Sequence, residues 1–137
     1  MLSGKTAVRL GATRPTRDFN YVEDIASAFV ATLDSERAVG EVVNVGSNFE
    51  VSIGKTAEII ADIIGVEVEI VTEEERLRPE SSEVERLWAD NSKAREFLDW
   101  IPENAGLNGF RQGVAKTIEW FSRPENLAKY KPDTYSI

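Results

Sequence analysis

The side chains best equipped for chemistry in this chain are arginines. Ten arginines stand against six lysines, and a guanidinium is a planar fork of donors suited to phosphate. Two groupings stand out: Arg14 with Arg17, and Arg76 with Arg78 and Arg86. The whole chain carries a net charge of −8, so an anion must be gripped by local cations against the protein's own field. For any one of these arginines, a solvated ion pair with one of the many glutamates is the plainer reading. The acidic balance disfavours nucleic acid, whose binding domains carry a basic patch. Histidine and cysteine are both absent. That removes the usual neutral-pH acid/base, disulfides, thiol chemistry and a zinc site. Carboxylates abound, yet no two are singled out by spacing as an acid/base pair.

A phosphate cradle of the dinucleotide type needs glycines in a tight strand-to-helix turn. The nearest approach is Gly106, Gly109 and Gly113. The third glycine comes one place late and no strand precedes the first, so these residues read as a loop and a helix start. No catalytic apparatus emerges from the residues.

The elements that must position the arginines are legible as an alternation of strands and helices. Lys5 to Gly11 reads as a strand with Thr6, Val8 and Leu10 on one face. A loop from Ala12 to Asn20 follows. A helix then runs to about Leu33, with Asp24 placed near its start to cap free N–H groups. Two rows, Val22-Ala26-Val30 and Ile25-Phe29-Leu33, give it a broad apolar face, which predicts a well-buried helix. Glu41 to Val45 reads as a short strand and Gly46-Ser47-Asn48 as a turn. Ser52 is the predicted N-cap of a helix over Ile53 to Ile64, with an apolar stripe of Ile53, Ala57, Ile60 and Ile64, and Gly65 at its C-terminal cap. Val66, Val68 and Ile70 alternate with glutamates as in a strand with one wet face. Thr72 to Glu83 is a charged loop. Asp90-Asn91 caps a helix over Ser92 to Leu98. A last helix runs from Leu107 to Phe121, with Phe110, Val114, Ile118 and Phe121 in register, and Arg123-Pro124 stops it. Trp88, Trp100 and Trp120 read as core. The sum is one α/β domain with a small sheet. A length of 137 residues is enough for a core, and no apolar run approaches the roughly 20 residues of a membrane helix. The absence of cysteine suits a cytoplasmic protein.

Four stretches in order carry a resemblance. R-D-F-N-Y-V-E-D at Arg17 to Asp24, V-V-N-V-G-S at Val42 to Ser47, A-D-N-S-K-A-R-E-F-L-D-W at Ala89 to Trp100 and G-V-A-K-T-I-E-W-F at Gly113 to Phe121 resemble the carboxy-terminal part of extended short-chain dehydrogenases/reductases. The branch is that of NAD-dependent nucleotide-sugar epimerases and 4,6-dehydratases. The resemblance implies a small mixed α/β substrate-binding part of a Rossmann-type enzyme over residues 1–123, and a loosely held tail over 124–137. It implies a nucleotide-sugar substrate, with NAD in a cofactor half that would lie before Met1. The chain departs from the family in lacking the glycine fingerprint and the tyrosine with a lysine four residues on: Ile25 follows Tyr21 at that spacing and Thr134 follows Tyr130. The chain therefore resembles a carboxy-terminal piece of a longer enzyme, expected to bind no NAD by itself and to be inactive alone.

Position by position, Val8 and Leu10 resemble the strand residues beside the nucleotide base. Arg17 resembles an arginine near the diphosphate or sugar, and Arg78 the arginine on the diphosphate. Glu83 resembles the acid that holds the ribose hydroxyls, with Glu80 a rival for that role. The stretch Arg76 to Arg86 is closest to dehydratase branches acting on GDP- or UDP-linked sugars. Loss of the cofactor half would uncover apolar surface, so self-association is expected. The reading from a different class is a non-catalytic nucleotide-binding or protein-interaction module.

Overall fold

The computed structural model of the chain describes residues 1–4, 6–77, 79 and 82–130. Its elements are β1 (Ala7–Leu10), β2 (Thr16–Arg17), α1 (Val22–Leu33), β3 (Val51–Ser52), α2 (Ile53–Ile64), β4 (Glu69–Thr72), β5 (Arg86–Leu87), α3 (Ser92–Leu98), α4 (Gly106–Phe121) and α5 (Pro124–Leu127). Single 3-10 turns lie at Glu36–Ala38 and Glu74–Arg76. The fold is mixed α/β with two small sheets. β1 pairs with β4 in parallel, Val8 opposite Ile70 and Leu10 opposite Thr72. β2 is the middle strand of the other sheet, antiparallel to β3 and parallel to β5.

The best-formed helix is the one whose ends are written in the sequence. Ser52 accepts a hydrogen bond from the Lys55 amide at 3.1 Å, which satisfies an otherwise unpaired donor. Gly65 closes α2 in the left-handed conformation, φ 76°, and its N–H reaches Ala61 and Asp62. α3 is capped by Asp90, whose carboxylate accepts from the Ser92 amide at 2.9 Å. Those bonds from Ser92 hold the Asp90 carboxyl below the usual carboxylate range. Asn91, expected to share in that cap, instead donates from its side chain to the Gly46 carbonyl at 2.9 Å.

Several expectations are corrected. Residues 41–45 form no strand among the described residues. Their burial still alternates, exposed at Val42 and Asn44 and half-buried at Val43 and Val45. The alternation of burial is there, but no described strand pairs with the segment, and a strand is closed only by its ladder. α1 is not well buried. Val22, Phe29, Val30 and Leu33 are all exposed, Leu33 by 83%. Its buried residues are Asp24 and Ala28. Asp24 does not cap its own helix either: the carboxylate accepts from the Glu103 and Asn104 amides at 3.0 and 3.1 Å and from the Asn104 side chain at 3.2 Å. The wet-faced strand starts later than its alternation implies, at Glu69, where pairing with β1 begins. Of the tryptophans, Trp100 is core and donates to the Ser27 hydroxyl at 2.8 Å, whereas Trp88 and Trp120 are exposed. Beyond α4, Pro124 opens α5, and Asn126 donates from its side chain to the Trp120 carbonyl at 3.0 Å, which leaves the expectation of a loosely held tail over 124–137 an expectation.

The core has two clusters. One joins Ala28 of α1 to Ala94, Leu98 and Trp100, with Ala31, Val43, Val45 and Phe97 packed around them. The other joins Val51, Ile59 and Phe110.

Candidate functional site

Arg17 sits in the middle strand of the three-stranded sheet, opposite Val51 on one side and Leu87 on the other. Pairing on both edges fixes its backbone. Its guanidinium donates through Nη1 to the Thr16 and Val84 carbonyls, both at 2.7 Å, and through Nη2 to the Glu83 carboxylate at 3.3 Å. Both side chains of this pair are mostly buried, 20% and 16% exposed. Two predicted site residues 66 positions apart are thus brought into one ion pair.

Beside them lies a second pair that the sequence did not single out. Glu50 faces Arg86 across the sheet, accepting from Nε at 2.7 Å and Nη2 at 2.5 Å, and also accepts from the Thr16 hydroxyl at 2.7 Å. The Arg86 bonds, followed by the Thr16 hydroxyl, hold the Glu50 carboxyl below the usual range. The Glu50 bond raises the Arg86 guanidinium in turn. The Arg86 guanidinium also stacks over the Trp88 ring at 4.5 Å, a cation–π contact. Arg86 was visible as a candidate cation. Glu50 gave no signal, because only the β2–β3 pairing carries it there.

Asp18 follows Arg17 and holds the site from behind. One carboxylate oxygen accepts from the Ser47 amide at 3.0 Å and from the Ser47 hydroxyl. The other accepts from the Asn48 and Ala89 amides at 3.1 and 3.2 Å. Gly46 is needed at this junction, since a Cβ there would come within 2.4 Å of the Ala89 Cβ. The stretches at 17–24, 42–47 and 89–100 therefore meet at one carboxylate.

Val8 and Leu10 lie apart, in the other sheet. They line an apolar cavity of about 720 Å³ together with Phe19, Tyr21, Ile60 and Phe110. Phe19 is two residues beyond Arg17 and packs on Phe110 with ring centroids 5.8 Å apart, so the chain from 17 to 19 links ion pair and cavity. The apolar stripes of α2 and α4 face this cavity too. Arg78 and Glu80 lie outside the described residues. Arg14 pairs with Glu85 at the surface and Arg76 with Glu73. Among the described residues no cluster of acidic side chains could hold a metal ion, and no helix is long and apolar enough to cross a membrane.

The GDP-mannose 4,6 dehydratase family model matches residues 1–117. UDP-glucose 4-epimerase of Mycolicibacterium smegmatis is 33% identical over 121 residues, which cover 88% of this chain and 36% of that protein. Among solved structures, an epimerase from Methanothermobacter thermautotrophicus superposes with a TM-score of 0.77 at 28% identity, covering 90% of this chain and 35% of that one. A dTDP-glucose 4,6-dehydratase from Bacillus anthracis in complex with NAD gives 0.70 at 28% identity, covering 90% and 37%. The chain spans about a third of the length of these relatives.

Proposed function

Since the chain belongs to the GDP-mannose 4,6 dehydratase family, within the extended short-chain dehydrogenases/reductases that act on nucleotide sugars, we propose that it is the substrate-binding part of an NAD-dependent nucleotide-sugar epimerase or 4,6-dehydratase. The observation that carries the reading is the Arg17–Glu83 pair, mostly buried and fixed by the β2–β5 pairing. A guanidinium so anchored presents its remaining donors to a diphosphate. The neighbouring carboxylate accepts from two sugar hydroxyls at once. In this reading Arg78 joins Arg17 on the diphosphate, and Val8 and Leu10 supply an apolar wall for the base. GDP- and UDP-linked sugars are the substrates to try first.

NAD belongs, in this reading, to the length of the relatives that this chain does not match. The glycines nearest to a dinucleotide fingerprint do not fit that group. A Cβ on Gly109 would fall 2.2 Å from the Asn104 carbonyl carbon, so the space its missing side chain leaves is filled by the protein's own backbone. The part played by this chain is binding and orientation of the sugar nucleotide; the redox step at the sugar's C4 is assigned to the whole enzyme.

The test is calorimetric titration of GDP- and UDP-sugars into wild type, Arg17→Ala and Arg17→Lys. Arg17→Ala should lose about 1.5–3 kcal/mol of binding, the worth of hydrogen bonds to a charged group, or roughly tenfold to hundredfold in affinity. Arg17→Lys should recover part of it, because an ammonium lacks the fork. Equal affinities in all three, or no binding to wild type, would overturn the assignment.

A further inference from the structure

The three-stranded sheet carries an ion pair on each of its faces. Side chains alternate along a strand, and residues paired across strands share a face. Arg17, Val51 and Leu87 therefore lie on one face, and Thr16, Ser52 and Arg86 on the other. The first face turns to the core through Val51, which packs with Ile59 and Phe110. From it Arg17 reaches Glu83 and the Val84 carbonyl. The second face is wetter, with the Arg86 side chain 56% exposed. Glu50, two residues before Ser52, spans it by accepting from Thr16 of β2 and from Arg86 of β5. One carboxylate next to β3 thus ties all three strands.

The tie matters because the strands are short. β2, β3 and β5 have two residues each, and strands of that length are marginal by themselves. β5 is held to β2 by the Thr16 amide on the Glu85 carbonyl at 2.8 Å and the Asp18 amide on the Leu87 carbonyl at 2.9 Å. How β5 docks sets where Glu83 and Val84, just upstream, stand against Arg17. Arg86 presents both Nε and Nη2 to the Glu50 carboxylate, and such a fork fixes direction as well as distance. The Trp88 ring, 4.5 Å away, flanks the same guanidinium.

We infer that Glu50 and Arg86 are positioning residues for the Arg17–Glu83 site: they clasp β3 and β5 across β2 from the far face, and so set the spacing at which Arg17 and Glu83 meet a ligand. Neither residue touches the ligand in this arrangement; both act through the backbone of β2 and β5. The ligand's identity as a sugar nucleotide rests on the proposed function, whereas the action of the clasp on Arg17 does not.

The experiment titrates UDP-glucose and GDP-mannose into the chain and its variants, at a temperature where circular dichroism shows each to be fully folded. In parallel it follows the Arg17 Nε–H magnetic-resonance signal, assigned by its loss in Arg17→Ala. Arg86→Gln should weaken sugar binding about tenfold and move the Arg17 signal. The exchanged pair Glu50→Arg, Arg86→Glu should recover affinity to within about threefold of wild type. In an Arg17→Ala background, Arg86→Gln should cost less than about twofold more, since residues that act as one unit are not additive. A clasp that only stabilised the fold would lower the unfolding midpoint and leave the affinity and the Arg17 signal of the folded protein as they are, and that result would overturn the inference. An undiminished effect of Arg86→Gln in the Arg17→Ala background would overturn it too, by putting Arg86 on the ligand directly. If wild type binds neither sugar, the proposed function fails, and the clasp is decided by the Arg17 signal in Arg86→Gln: moved, it stands; unmoved, it falls.

Discussion

The two sides of α1 invert the usual rule of burial. On the inner side a carboxylate, Asp24, is 4% exposed, while on the outer side Leu33 is 83% exposed. The difference lies in what stands opposite. Asp24 meets three donors from residues 103–104 that have no other described partner, and a buried charge is tolerated when hydrogen bonds replace its water. Leu33 joins neither core cluster among the described residues, and most of its side chain remains in solvent. Burial here records the partner across the way rather than the polarity of the residue.

The sharpest way to break the comparison is Asp24→Ala. Three donors would lose their partner, two of them on buried Asn104, and we expect a loss of about 3 kcal/mol in unfolding free energy, read by urea denaturation. A loss within experimental error would mean that the inner side of α1 is no more committed than the outer.

A smaller effect is expected where a carboxylate is served by a cation at the surface. Glu50 is held below the ordinary range by Arg86 and then by Thr16. A depressed folded-state pKa adds stability above the unfolded value, about 4.3 for glutamate, and this is lost as pH falls through the folded one. Wild type should therefore lose stability on acidification from about pH 5 to 3 more steeply than Glu50→Gln. Parallel acid profiles for the two proteins would remove this pair from the account.

The smallest effect belongs to the outer side. Val30→Ser should shift the unfolding free energy of the free chain by no more than about 0.5 kcal/mol, as for an exposed position. A loss of about 2 kcal/mol, the size of a buried apolar side chain, would show that the stripe is covered in the isolated chain, and the contrast between the two sides would collapse.

The local chemistry of α2 was legible in the sequence, whereas the caps expected of Asp24 and Asn91 went to distant partners. Ser52 and Gly65 mark the ends of α2 because a cap and a left-handed turn are satisfied within a few residues. β1, α3 and α4 fall close to their predicted spans for the same reason, since periodicity and stop signals lie inside each segment. Arg17 and Glu83 could be named one at a time, through the resemblance, but no spacing rule places them 3.3 Å apart. Glu50 left no trace and Asp18 appeared only as a letter of a motif, because their partners come from other strands and turns.

The sequence alone determined the mixed α/β class, the two ends of α2, the family motifs and the absence of cysteine and histidine. All of these depend on residue identity and short-range periodicity. Only the tertiary structure decided that Asp24 points inward to hold residues 103–104, that Arg17 pairs with Glu83, that 41–45 alternates in burial without forming a described strand, and that α1 turns its valines and leucine to solvent. Amphipathic pattern says that a face wants covering; whether anything covers it depends on chain brought from elsewhere, and the pattern of one segment holds no record of that.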